Sequence, residues 1–388
     1  MYICRGFKTE GDLRIAVNTR LLLKGKLEGI GWFSYESLKR MCISHPEHEF
    51  IFIFDRPYDQ SFIFSDNVTA VVIGPPARHP FLYLIWFEYS VTKVLKKYKA
   101  DVFLSTDGYL SLSTDIPSIA VIHDLNFEHY PKDLPFLDLW YYKRYFPKFA
   151  RKAERIITVS NYSKEDIHRL YNIPSTNIDV AYNGVNDVYR ALTIKDQEII
   201  RSEVSNNEKY FVFVGALHPR KNLIGLFKAF DYYKKNTNNN TKLVIVGSKQ
   251  WWTKPIQNAY NNMEFKDDVI YTGHLSSERL NEVIASAIAL VYVSYFEGFG
   301  IPIIEAFKTQ TAVITSNVTS MPEVAGDAAL IVDPFDYKDI ASAMIKIDSD
   351  TELRKKLIAK GIERSKLFSW DNTANTIWET ILKVVDKR

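Results

Sequence analysis

The chain has 388 residues, more than one ordinary core holds, so two domains of about 200 residues each are expected. Lys plus Arg number 49 against 46 Asp plus Glu, and this near balance excludes a dedicated nucleic-acid binder, whose basic excess would dominate its surface. Hydrophobic residues at 46% and charged residues at 24% fit a soluble enzyme, and no apolar run reaches the roughly 20 residues that cross a bilayer. Cys4 and Cys42 are too few for a disulfide framework and lack metal-ligand spacing, and "MYICRGFKTEGDL" lacks the apolar centre of a signal peptide. A reducing, cytoplasmic setting follows as the expectation, with at most peripheral contact at the inner face of the cell membrane.

Short apolar runs alternate with helix-length amphipathic segments, the pattern of parallel sheets covered by helices in an α/β protein. The first series is "LRIAVNT" (13–19), "FIFIF" (50–54), "TAVVI" (69–73), "DVFLS" (101–105), "SIAVIH" (118–123), "RIITVS" (155–160) and "IDVAY" (178–182). "NGVND" (183–187) reads as a turn, and 188–208 is polar with no strand signal. A second series follows: "YFVFVG" (210–215), "KLVIVG" (242–247), "DVIYTG" (268–273), "ALVYVS" (289–294), "TAVITS" (311–316) and "AALIVD" (328–333). Two such series argue for two Rossmann-like domains, residues 1–190 and 191–368, with the boundary region near 185–208. The closing "FSWDNTANTIWETILKVVDKR" predicts an amphipathic helix over 369–388, capped by Ser369 or Asp371.

Parallel sheets bind ligands at the carboxyl ends of their strands, so two of them facing each other would place the working cleft between them. "FVGALHPRKNLIGLFKAF" (213–230) ends a strand at Gly215, then carries Arg220 and Lys221 on a short loop before Asn222 caps a helix. Helix-terminal amides and two adjacent cations suit a diphosphate, although an isolated Arg-Lys pair is also what a solvated basic turn looks like. The Gly-Lys-Ser/Thr ending of a Walker loop is missing.

"LEGIGWFSYESL" (27–38) offers Gly29 and Gly31 for close backbone approach to a charged ligand, or is a plain loop. "AVIHDLNFEHYP" (120–131) ends a strand with His123 and Asp124, which could position a sugar hydroxyl or share a proton, or else form an Asx turn beside a half-buried His.

In "VYVSYFEGFGIPIIEAF" (291–307), Pro302 predicts the first turn of a helix, which places Glu305 where the helix dipole favours a carboxylate. Glu297 falls in the preceding loop. The turn amides around Gly298 and Gly300 could face a phosphate while two carboxylates grip vicinal sugar hydroxyls.

Two further segments are rich in aromatics. "LWYYKRYFPKFARKAER" (139–155) fits a solvated helix face or an anionic membrane surface, and "PFLYLIWFEYSVTKVLKKYKAD" (80–101) fits core, with a first turn able to meet an apolar acceptor tail. Asp348 and Asp350 mimic a metal-binding Asp-x-Asp between two helices and are discounted as one.

Together these motifs resemble the family 4 glycosyltransferases, retaining enzymes of the GT-B fold. "EGFGIPIIEA" matches the family's Glu, seven residues, Glu signature, and "GALHPRKN", "VIHDL", "TVSNYSKEDI", "YNGV", "TSNVTSMPEVAGDAALIVDP" and "FSW" follow in the family's order. The resemblance covers nearly all of 13–385. It implies a nucleotide-diphosphate sugar donor held mainly by the C-terminal domain, with no cofactor and no metal. Glu305 would bind the ribose hydroxyls and Glu297 the donor sugar near its 3-hydroxyl. Arg220 and Lys221 would hold the diphosphate beyond Gly215, helped by amides around Phe299 and Gly300. His274 and Leu275 would lie beside the base, His123 would face the donor sugar, Gly31 would approach the phosphate and Asp124 would meet the acceptor. The terminal helix would cross back to the N-terminal domain.

The family's glycine-rich loop reads Gly-Gly-Ile-Gly-Arg, whereas this chain has Glu28 and Trp32 at the first and last of those positions. The stretch from "PPARHP" to "IHDLNFEHYP" looks most like mannosyltransferases of bacterial polysaccharide assembly, which favours GDP-mannose as donor and a glycan or lipid-linked acceptor. Stabilising the departing diphosphate with Arg220, Lys221 and helix-terminal amides would replace the metal of other glycosyltransferases, and closing the domains would exclude water. A non-hydrolysing nucleotide-sugar epimerase and a non-catalytic nucleotide-sugar-binding subunit are the alternatives.

Overall fold

The computed structural model describes residues 12–386. Cys4, most of the stretch read for a signal peptide and the last two residues of the terminal helix lie outside the described residues, whereas Cys42 is buried. All thirteen apolar runs are strands, and every pairing is parallel. β1 (Arg14–Asn18), β2 (Glu49–Phe54), β3 (Val68–Val72), β4 (Val102–Ser105), β5 (Ser118–Val121), β6 (Arg155–Thr158) and β7 (Ile178–Val180) form one sheet in the order β3-β2-β1-β4-β5-β6-β7. β8 (Tyr210–Val214), β9 (Lys242–Val246), β10 (Val269–Gly273), β11 (Ala289–Tyr292), β12 (Ala312–Ser316) and β13 (Leu330–Val332) form the other, in the order β10-β9-β8-β11-β12-β13.

Strands buried on both faces need continuous apolar runs, which is why Ile15–Val17, Ile51–Phe54 and Phe211–Phe213 carry no polar alternation. In each sheet the first strand lies inside, and strand order reverses beside it, between β1 and β4 and between β8 and β11. Such switch points open a crevice at the carboxyl ends of the two strands, and each of these ends carries a cluster of hydrogen-bonded charged side chains.

The chain divides into two compact units. One ends at Asn183 and takes back the chain from Trp370, and the other is Gly184–Ser369. The polar stretch 188–208, which carries no strand signal, holds a helix, Ile194–Ser205, started by the Thr193 hydroxyl. The terminal helix, Trp370–Val385, packs on helix Gly29–Ser44 in the first unit. Arg40 Nε donates to Asp371 at 2.6 Å, and the Trp378 ring stacks on His45 with centroids 3.7 Å apart.

The aromatic segment after residue 80 is one helical run with a π-helical turn, Trp86–Val91, in its middle. Trp86 and Phe87 point into the core, while Phe81, Ile85 and Tyr89 stay exposed. Asp348 and Asp350 have structural partners: Asp348 accepts from the Tyr233 hydroxyl at 2.7 Å, and Asp350 caps helix Thr351–Ser365 through the Leu353 amide.

Candidate active site

In the second unit, the chain leaves β8 at Gly215 in a left-handed conformation, φ 149°. A side chain on the neighbouring Gly247 would overlap the Gly215 carbonyl oxygen, so two strand ends approach here more closely than any other residue allows. A short 3₁₀ turn, Pro219–Lys221, then presents both cations, and Asn222 ends it. The Asn222 side chain caps helix Leu223–Thr237 through the Gly225 amide and donates to the carbonyls of Val293 and Pro334, at 3.0 and 2.7 Å. One polar residue thus ties the β8 loop to the β11 loop, and removing such a cap typically costs about 1 kcal/mol.

That tie brings Glu297 to the cations. Lys221 Nζ donates to Glu297 Oε1 at 2.6 Å and to the Tyr292 hydroxyl at 2.8 Å. Arg220 Nη1 donates to Glu297 Oε2 at 3.0 Å and to the Phe296 carbonyl at 2.9 Å. The Glu297 amide donates to Thr319 Oγ1, and the Ser320 hydroxyl lies 2.9 Å from the carbonyls of both Glu297 and Phe299. Burial pushes the Glu297 carboxyl up, but Lys221 and Arg220 outweigh it and hold it at about 2. It is therefore a carboxylate at any ordinary pH.

Eight positions later the environment inverts. Gly300, φ 107°, turns the chain into helix Ile301–Lys308, and Glu305 is buried in that helix. Burial raises its carboxyl to about 7, only partly offset by a hydrogen bond from the Tyr189 phenol. A helix N-terminus favours a carboxylate here, and desolvation overrides it. Phe299 is buried edge-on against Phe368, ring centroids 5.6 Å apart, so it offers the site its backbone rather than its ring. His274 is exposed and Leu275 half-buried in the loop that follows β10.

In the first unit, His123 and Asp124 follow β5. His123 Nε2 donates to the Thr106 carbonyl at 2.9 Å, which assigns the proton to Nε2 and leaves Nδ1 as an acceptor. Burial lowers the His123 pKa, so the ring is neutral at pH 7, and Phe33 packs edge-on to it at 4.9 Å. Proton sharing with Asp124 is not what the structure shows: Asp124 Oδ1 accepts the Asn126 amide at 3.0 Å, an Asx turn that starts the next helical turn. Gly31 sits inside its helix, where a β-carbon would come 3.2 Å from Leu27 Cδ2 and 3.3 Å from the Leu21 carbonyl oxygen. Its lack of a side chain serves packing against its own loop.

The structure therefore joins Arg220, Lys221 and Glu297 in one cluster, with Gly215 against the Lys221 stem, and sets the buried Glu305, eight positions beyond Glu297, with the Tyr189 phenol. His123, Asp124 and Gly31 belong to the other unit. Four participants escaped the sequence reading. Tyr292 read as strand core and Tyr189 as part of a polar linker. Thr319, at φ 57°, and Ser320 were visible only as a quoted motif.

A second polar cluster lies at the switch point of the first sheet. Asn18 donates to Asp107 at 2.8 Å, and Arg20 Nε donates to its other oxygen at 2.5 Å, with the guanidinium 4.5 Å from the Tyr109 ring centroid. Among the described residues, no group of three or more His, Cys, Asp or Glu is placed to hold a metal ion.

Residues 195–364 match the family model described as glycosyl transferases group 1, and residues 45–188 match that of glycosyltransferase family 4. The chain is 28% identical to the O-antigen chain mannosyltransferase B of Escherichia coli, over 92% of this chain and 96% of that one. It is 32% identical to the O-antigen chain mannosyltransferase RfbU of Salmonella typhimurium, over 68% and 71% of the two chains. Among solved structures, a glycosyltransferase from Rickettsia africae superposes with TM-score 0.74 at 17% identity, over 97% of this chain and all of that one. The lipopolysaccharide glycosyltransferase WaaG superposes with TM-score 0.73 at 14% identity. These likenesses identify the two-sheet architecture as GT-B.

Proposed function

The chain belongs to glycosyltransferase family 4, and from that premise we propose that it moves mannose from GDP-mannose, with retention of configuration and without a metal ion, onto a glycan or lipid-linked acceptor in cell-surface polysaccharide synthesis. The observation that carries this reading is the Arg220–Lys221–Glu297 cluster at the β8/β11 switch point, with Lys221 and Glu297 buried and Arg220 half-buried. The names of its mannosyltransferase relatives support the choice of sugar.

Leaving-group stabilisation is the work left to the protein when a nucleoside diphosphate departs. Arg220 and Lys221 are fixed by carbonyl and phenol acceptors of the protein itself, so they need little reorganisation to meet the developing charge. The backbone around Phe299 and Gly300 adds amides at a helix start. Glu305 grips the ribose hydroxyls, Glu297 the sugar near its 3-hydroxyl, and the loop of His274 and Leu275 borders the base. His123, neutral with Nδ1 as acceptor, suits a sugar hydroxyl as donor to it. Because Glu305 titrates near neutrality, its acceptor capacity for ribose grows as pH rises through about 7.

Contact with the acceptor's membrane fits the first unit. Phe81, Ile85 and Tyr89 are exposed on one helical run, and Phe136, Leu137 and Trp140 on the start of helix Phe136–Lys152, followed by exposed Lys143 and Arg144. Aromatics beside cations suit an anionic bilayer surface, and sedimentation with phosphatidylglycerol vesicles, lost in Phe136→Ser plus Trp140→Ser, is the check. The donor reading is tested by a thermal-shift panel of GDP-, UDP- and dTDP-sugars, because a ligand that binds the folded state raises its melting temperature. GDP-mannose is expected to give the largest shift, and no shift from any of them would refute the reading.

A further inference from the structure

Resting on the donor reading above, we infer that Glu297 makes the site discriminate between the intact nucleotide sugar and the spent nucleoside diphosphate, by exchanging counterions with the phosphates. Its carboxylate bridges both cations, one oxygen to Lys221 at 2.6 Å and the other to Arg220 at 3.0 Å. Glu297 is 6% exposed and Lys221 8%, so water contributes little to either charge. The carboxylate takes one N–H of each cation and neutralises much of their charge, so a diphosphate drawn to both cations competes with it.

The surroundings allow that exchange to be a side-chain movement. The Glu297 backbone is held at both its amide and its carbonyl by Thr319 and Ser320. Lys221 keeps the Tyr292 hydroxyl, which also contacts Glu297, and Arg220 keeps the Phe296 carbonyl, as acceptors. Both cations therefore remain placed after the carboxylate swings away.

A displaced carboxylate in a buried position needs new donors, since leaving a buried charge unpartnered costs more than any net gain from the pair itself. Hydroxyls of a sugar on the diphosphate supply them, and a nucleoside diphosphate has nothing at that end. The intact donor thus satisfies both halves of the exchange, whereas the product satisfies one half and leaves the Glu297 charge with only the neutral hydroxyls of Tyr292 and Ser294. The same residue that welcomes the sugar helps to expel the nucleotide once the sugar has gone.

Calorimetric titration of the full chain with GDP and with GDP-mannose, in the wild type and in Glu297→Gln, tests this. The wild type is expected to prefer GDP-mannose. The Gln variant is expected to bind GDP about tenfold tighter than the wild type does, the scale of one charge-assisted hydrogen bond, and to lose most of its preference for the sugar-bearing ligand. Glu297→Asp, which keeps the charge but is one methylene too short to bridge both cations, should fall between the two and covers the case of a poorly folded Gln variant. GDP affinity unchanged or weakened in both variants, with GDP-mannose still bound by the wild type, would overturn the inference and leave the donor reading intact. Failure of the wild type to bind GDP-, UDP- or dTDP-sugars would instead overturn the donor reading, and this inference with it.

Discussion

Glu297 and Glu305 stand eight positions apart on either side of one glycine turn, yet the fold treats them oppositely. Glu297 lies in a loop between two cations and is held ionised at about 2, whereas Glu305 lies in a helix facing a phenol and is raised to about 7. Both are buried, so burial alone does not decide their chemistry. What differs is the partner: two full positive charges outweigh desolvation, and one neutral hydroxyl does not. Two carboxylates that look alike in sequence are therefore a permanent anion and a group poised to gain or lose a proton near neutrality.

The contrast is broken most severely at Lys221. Lys221→Ala leaves Glu297 with Arg220 alone, and loss of one partner from a buried pair costs about 3 kcal/mol or more. Turnover should fall at least about a hundredfold, the scale of one missing leaving-group donor, measured as nucleoside diphosphate release. Wild-type release in this variant would remove the cluster from the chemistry.

Next come the pH limbs of stability, which should slope in opposite directions. A carboxyl raised in the folded state binds protons that the unfolded chain has lost. The Glu305 contribution is thus fully present below its unfolded value of 4.5 and is lost as pH rises to about 7, a loss on the order of 3 kcal/mol. Glu305→Gln should flatten denaturant stability over that window. A carboxyl depressed in the folded state does the reverse: the Glu297 contribution is present above 4.5 and is lost as pH falls to about 2. Glu297→Gln should flatten that acid limb and leave the neutral one unchanged. A shared slope for the two variants would erase the distinction between them.

Smaller effects sharpen the same comparison. Tyr189→Phe removes the hydrogen bond that lowers the Glu305 carboxyl, so the midpoint of its titration should move upward, followed by the carboxyl signal in NMR, with about 1 kcal/mol lost above neutrality. No loss at all is expected when turnover is measured in EDTA, and a strict need for added Mn²⁺ or Mg²⁺ would refute the metal-free proposal.

Much of this was legible in the sequence because the signals are local. β-Branched and aromatic runs flanked by turn residues marked all thirteen strands, and Asn222, Pro302 and the glycines marked the loop-to-helix junctions. The two glutamates, Arg220 and Lys221 were visible as residue types at strand ends. Their pairing was not, since Lys221 and Glu297 are 76 positions apart and meet only when β8 and β11 become neighbours. For the same reason Tyr189, in a polar linker, gave no hint that its hydroxyl reaches Glu305. The π-helical turn at Trp86–Val91 also escaped, because an apolar helix with one extra residue per turn carries the same composition as one without. The Asp124 Asx turn is one of two options in the sequence, and it forms through the Asn126 amide.

Donor-induced stabilisation in EDTA, compared between wild type and Lys221→Ala, reaches the core of the proposal most directly. GDP-mannose should raise the melting temperature of the wild type and leave that of the variant unmoved, because the variant lacks the buried ammonium to which the proposal gives the diphosphate. Equal shifts in the two proteins would show that the donor is held elsewhere, and the Arg220–Lys221–Glu297 cluster would then be a structural ion pair alone.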